Sequence, residues 1–186
     1  MRRFFKVSAA LALGMGLFLG GCSPKSAQLE PAKVYTIYKH KVTFTPPAGW
    51  KERSEKSPDA KDQVAAIIFE PPTGYGHIAV TVTDGITQTQ EFMNTLYNGI
   101  RARQGKIIKQ DYEHKLDDPD QKNAYWMEFE LKDAGPGHPV QKGRQVQIFG
   151  TQQKVLYSLV FTADPEVYDA NRETFLAMVK SFELAK

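Results

Sequence analysis

Residues 155–161 read VLYSLVF, apolar at odd and even positions alike. Successive side chains of a strand point to opposite faces, so a strand with this pattern must be covered above and below. Residues 64–69 (VAAIIF) repeat the pattern. Residues 124–131 differ: Tyr125, Met127, Phe129 and Leu131 fall on one face, and Trp126, Glu128 and Glu130 on the other. That alternation predicts a partly solvated side, with Glu128 and Glu130 in water.

Working outward, turn signals and apolar periods predict strands at 34–38, 41–45, 64–70, 77–83, 106–115, 124–132, 143–151 and 154–162. Helices are expected at 88–104, where Phe92, Met93, Leu96, Tyr97 and Ile100 form one stripe, and at 165–181. Asp164-Pro165 supplies an N-cap and a first-turn proline, and Phe175, Met178, Val179 and Phe182 share a side. The grouping is α+β, and helices on both faces of one antiparallel sheet is the simplest way to cover the doubly apolar strands.

The chain begins differently. MRRFFK carries Arg2, Arg3 and Lys6 and no acid, and an apolar and small-residue run follows from Val7 to Gly21. At about 15 residues this run is short for a bilayer-spanning helix and fits a cleaved leader over 1–21. It ends in Leu19-Gly20-Gly21-Cys22, where Cys22 is the only cysteine of the 186 residues. This stretch resembles a bacterial lipobox. The resemblance implies that Cys22 takes a diacylglyceryl group, becomes the first mature residue and is acylated further with fatty acid such as palmitate. Ser23 in the next position would favour the outer membrane, in its inner leaflet, in a Gram-negative host. A secreted protein with a leftover free thiol is the alternative, and an odd thiol in an oxidising compartment argues against it. Two or more acyl chains make membrane binding essentially permanent.

Residues 22–32 then read as the lipidated cysteine and a flexible tether with an r.m.s. reach of roughly 20 Å, ~40 Å fully drawn out. The remaining 33–186 is sized for one domain. Removing the three basic residues of the leader leaves 21 Lys and Arg against 21 Asp and Glu. The positive balance therefore belongs to the leader, and no electrostatic footprint for nucleic acid remains.

Two turns share a theme, Pro46-Pro47-Ala48-Gly49-Trp50 and Pro71-Pro72-Thr73-Gly74-Tyr75. Each joins two stiff prolines to a glycine able to adopt positive φ, with an aromatic expected to pack at the exit. The first, within Phe44-Thr45-Pro46-Pro47-Ala48-Gly49-Trp50, resembles the early strand and Gly-Trp turn of the PsbP-like superfamily. The chain end is also similar: Tyr157, Leu159 and Phe161, then Tyr168, Phe175 and the closing Ser181-Phe182. The resemblance implies an α/β/α sandwich around an antiparallel sheet. Its members include photosystem II extrinsic subunits, cyanobacterial lipoprotein relatives and DcrB-type envelope lipoproteins, mostly non-enzymatic partners of membrane assemblies.

Catalytic constellations are hard to find. None of Ser54, Ser57, Ser158 or Ser181 sits in a G-x-S-x-G elbow, and phosphate-binding glycine loops are missing. His40, His77, His114 and His138 lack metal-ligand spacing and read as surface or loop residues, His77 and His114 being the better held. Asp117, Asp118 and Asp120 lack the spacing of an EF-hand. Arg101, Arg103, Lys106 and Lys109 cluster at a helix end, where they complement its dipole or meet anionic lipid headgroups. The expectation is a non-enzymatic envelope interaction module with no catalytic residue, cofactor or metal. It would be anchored in the membrane at Cys22 and associated with an envelope protein complex. The alternative is a small-ligand or metal-binding envelope protein, with a weak enzyme behind it. For that alternative, loop 133–139 around His138 would be a lid.

Overall fold

The computed structural model describes residues 28–85, 89–111, 124–132, 140–150 and 154–184. In chain order the elements are β1 (Lys33–Ile37), β2 (His40–Phe44), β3 (Lys51–Lys56), β4 (Val64–Glu70) and β5 (Gly76–Asp84), followed by α1 (Thr89–Ala102). Then come β6 (Lys106–Asp111), β7 (Ala124–Leu131), β8 (Gln141–Gly150), β9 (Val155–Ala163), α2 (Pro165–Lys180) and β10 (Glu183–Leu184). A seven-stranded sheet runs β3-β4-β5-β9-β8-β7-β6, and a three-stranded sheet runs β1-β2-β10. Every strand pair is antiparallel.

The doubly apolar β9 lies at the middle of the large sheet, between β5 and β8. Val155, Tyr157, Leu159, Phe161 and Ala163 join the main core, together with Tyr168, Phe175, Met178 and Val179 of α2 and Tyr35, Ile37, Val42 and Phe44 of the first hairpin. Leu156, on the opposite parity, is equally inaccessible to water. A second cluster gathers Met93 and Ile100 of α1 with Tyr125, Met127, Phe129 and Leu131 of β7, and Leu96 and Tyr97 pack against it.

The two motifs that carried the sequence resemblance meet in space. Trp50 leaves its turn and sets its ring edge-on to Phe161, 5.9 Å between centroids. Ser181 Oγ donates to the Met178 carbonyl at 2.7 Å and accepts from Thr45 N–H at 2.9 Å, tying the end of α2 to the end of β2. Phe182 stacks on Phe44 at 6.0 Å. Gly49 and Gly74 both take positive φ, 74° and 77°, as the turns require. The repeat ends there, because Tyr75 is 46% exposed whereas Trp50 packs on the core.

Three features were not anticipated. Strand β3 (KERSEK) is exposed at every residue, so it carries no apolar period; it exists because β4 offers it a ladder. β10 is equally invisible in sequence, being two residues added to β2. Residues 28–30, inside the stretch read as tether, are held: Glu30 N–H donates to Pro46 O at 2.8 Å, Ala48 N–H to Gln28 O at 3.0 Å, and Leu29 bridges Pro47. Asp164 does occupy the N-cap position of α2, with Pro165 next, but its side chain makes no capping hydrogen bond.

Gly143 faces Phe129 across β7 and β8, and an added Cβ would stand 2.4 Å from the phenyl ring. The ring covers the glycine, so Gly143→Ala must displace a buried aromatic. We expect a loss of about 1–3 kcal/mol, read as a lower urea midpoint at unchanged slope.

Candidate functional site

Two neighbouring regions concentrate the polar chemistry. The first centres on Glu128. Strand alternation turns Glu128 away from the Met127 and Phe129 cluster, and antiparallel register sets Arg144 directly opposite it. Arg144 Nη1 donates to Glu128 Oε1 at 2.9 Å, Arg172 Nε of α2 at 2.8 Å and the Tyr168 hydroxyl at 3.2 Å. The Glu128 side chain is only 15% exposed, which corrects the solvated outer face expected for it. Sequence alternation places a residue on a face but does not say that a helix 40 residues later will cover it.

Burial on its own would raise the Glu128 pKa. Arg172 first, then Arg144 and Tyr168, outweigh it and hold the carboxyl below its ordinary value. Burial, reinforced by the charge of Glu128, pushes the Tyr168 phenol up. The Arg144 guanidinium lies over the Trp126 ring at 4.1 Å, and Lys109 Nζ is 5.6 Å from the same ring. Beside this group Lys142 pairs with Asp169 of α2 at 2.7 Å. A carboxylate this firmly ionised cannot donate a proton, and the three donors on one of its oxygens oppose a role as base. The arrangement instead clamps α2 to β7 and β8. Glu130, half-buried, stands between Lys106 and Lys142 in the ladder.

The two described histidines, His40 and His77, stand on different strands. His40 is well shielded on β2: its Nε2 lies 2.7 Å from Asp84 Oδ1 and its ring meets Tyr157 edge-on. His77 on β5 is half-buried, and desolvation, with Arg53 adding to it, lowers its pKa. His77 thus lies on the strand expected for it, whereas His40, just outside the expected strand, is a shielded strand residue and corrects the surface or loop reading. Among the described residues no group of three His, Cys, Asp or Glu side chains could hold a metal. Cys22, His114, His138, Asp117, Asp118, Asp120, loop 133–139 and the Phe92 side chain lie outside the described residues. Of the serines, Ser158 donates to Gln147 and Ser181 ties off α2, while Ser54 lies on exposed β3 and Ser57 accepts from Ala60 N–H at 3.3 Å.

The second region lies between α1 and β6. An open cleft of about 510 Å³ is lined by Asn94, Tyr97, Asn98, Arg101 and Gln110. The Tyr97 hydroxyl donates to Gln110 Oε1 and lies 3.0 Å from the Tyr125 hydroxyl, so two of the lining residues form a hydrogen-bonded triad with Tyr125. Gly105 permits the tight return from α1 into β6, since a Cβ there would meet Ile100 at 2.6 Å. Arg101 lines this cleft, Arg103 follows it in the turn, and Lys106 and Lys109 stand on β6; all four are exposed, and none forms an ion pair among the described residues. Ile108 projects from the same strand, 55% exposed, where the β6–β7 register shifts.

No protein-family model matches the chain, and no curated protein sequence matches it. Solved structures do. The solution structure of cyanobacterial PsbP (CyanoP) from Synechocystis superposes with a TM-score of 0.57 at 16% identity, covering 90% of this chain and 99% of that one. The Saccharomyces cerevisiae Ran-binding protein Mog1p superposes at 0.52 and 11% identity, over 82% of this chain and 95% of its own. The fold, mostly antiparallel sheet with two helices, is PsbP/Mog1-like.

Replacing the clamp carboxylate tests its role. Glu128→Gln leaves Arg144 and Arg172 facing each other without a counter-charge, and we expect a loss of about 2 kcal/mol at pH 7, below the ~3–5 of a fully buried pair. Because folding lowers this pKa, the stabilisation is complete above the unfolded value of about 4.3 and drains as pH falls through the folded one. Wild-type and mutant denaturation curves should therefore converge in acid.

Proposed function

We propose that this chain is a membrane-anchored bacterial lipoprotein acting as a non-catalytic interaction and assembly module in the cell envelope. Residues 1–21 are its signal peptide, Cys22 its lipidated first residue, and 33–186 its single PsbP-like domain. The protein faces away from the cytoplasm. In a Gram-negative host, Ser23 favours the inner leaflet of the outer membrane.

The observation that carries the non-catalytic reading is the state of Glu128. This carboxylate, 15% exposed and held below its ordinary pKa, is bonded by two guanidinium groups and a phenol, an arrangement that builds a rigid scaffold. The same clamp supports a helix/sheet/helix sandwich: adjacent residues of β7 meet different helices, Met127 joining α1 and Glu128 bonding α2. A partner in protein form is consistent with the fold, since the yeast neighbour is a Ran-binding protein. Equal numbers of acidic and basic side chains after the leader give nucleic acid no general attraction.

The anchor carries the location. Gln28, six positions after Cys22, is already bonded to the turn preceding β3. At about 3.3–3.6 Å per residue the lipid lies within roughly 20 Å of that turn.

Cys22→Ser should leave domain stability within about 0.5 kcal/mol of wild type, as for a change remote from packing. Location should change sharply. The wild-type protein stays with membranes through a high-salt wash and incorporates labelled palmitate, because acyl insertion is not screened. The mutant keeps its leader or becomes soluble, without label. Release of wild type by salt, or equal label in both, defeats the lipoprotein reading.

A further inference from the structure

We propose that the outer edge of β6, flanked by Arg101, Arg103, Lys106 and Lys109, is a docking edge for an acidic, extended segment of a partner protein, which adds to the sheet as its next strand. The proposal rests on the interaction-module reading and names the chemistry of the partner.

β6 is the last strand of the seven, and among the described residues no strand pairs with its outer side. An edge strand carries a row of backbone donors and acceptors that another extended chain can complete. The two edges of this sheet are treated differently. On β3, charges of both signs neutralise one another: Arg53 pairs with Glu55 and Glu70, Lys51 with Glu70, and Glu52 receives Lys33 and the Tyr35 hydroxyl. That edge has little net attraction for either sign.

The β6 edge has four exposed cations within nine residues and no carboxylate ion-paired to any of them among the described residues. Like-charged copies of this edge repel, so the arrangement opposes self-pairing while attracting an acidic strand. Ile108 stands among the cations as an apolar contact for one side chain of the incoming segment. Asn94, Asn98, Arg101 and Gln110 in the adjoining cleft offer polar groups to others. Charge sets attraction and rate, the ladder sets direction, and Ile108 with the cleft sets register.

The test uses the full chain in neutral detergent micelles and a fluorescein-labelled peptide of alternating glutamate and valine, about seven residues long. Saturable anisotropy is expected, weakened at least about tenfold by N-methylating alternate peptide nitrogens, which removes ladder donors, and by Lys106→Glu with Lys109→Glu. If the charge-reversed chain fails to fold, Lys106→Gln with Lys109→Gln should still weaken binding several-fold. Cys22→Ser should bind the peptide as wild type does, so loss of the anchor and loss of the docking edge are read separately. Undiminished binding of the N-methylated peptide would reduce the site to bulk charge and overturn strand addition. So would lysine-dependent binding to vesicles containing phosphatidylglycerol with none to the peptide, or self-association of the chain alone through this edge.

Discussion

Phe161 is where the parts of this protein are held to one another. Its ring, sealed from water on the central strand, stacks on Tyr168 at 5.1 Å, tilts against Phe175 at 5.7 Å and receives the edge of Trp50. It thereby joins the middle of the sheet, the closing helix and the Pro-Pro-Ala-Gly-Trp turn. Aromatic pairs of this kind contribute about 0.5–1.5 kcal/mol each beyond the area they bury. The larger effect is geometric, because one ring position constrains three elements that lie far apart in sequence.

With α2 set by that contact, the Glu128 clamp acquires its meaning. Placing a carboxylate under a helix is unfavourable unless its lone pairs and charge are answered, and here a neighbouring strand and the covering helix each bring an arginine. Lys142 and Asp169 repeat the link at the rim. Apolar side chains would hold the layers as strongly but would leave the helix freer to slide along them. Directional bonds to Glu128 restrict it to one position, and the docked helix in turn gives the sheet beyond it a rigid frame.

The two sheet edges follow from the same economy of charge. β3 is a strand only by virtue of its partner and is finished with self-neutralised ion pairs, near the turn that grips Gln28 and Leu29. β6, at the far side of the sheet, carries exposed cations that form no ion pair among the described residues, and a projecting isoleucine. A chain with equal numbers of acids and bases from residue 22 onward thus presents unlike ends, and the difference lies in arrangement rather than composition.

Much of the body was legible in the sequence because burial writes a period. The doubly apolar runs at 64–69 and 155–161 became inner strands, β7 alternated as expected over Tyr125, Met127, Phe129 and Leu131, and Asp164-Pro165 opened the last helix. The glycine turns were also readable, since positive φ needs particular residues, and the Ser181-Phe182 closure was marked by the resemblance. Whatever depended on a distant partner was not. KERSEK has no period because a ladder bond belongs to the backbone, and Glu128 looked solvated because its covering helix comes later in the chain. His40 finds Asp84 through strand order alone. Local patterns determined which residues avoid water; tertiary structure decided which charges meet, because ion pairing depends on distance through space and leaves no repeat along the chain.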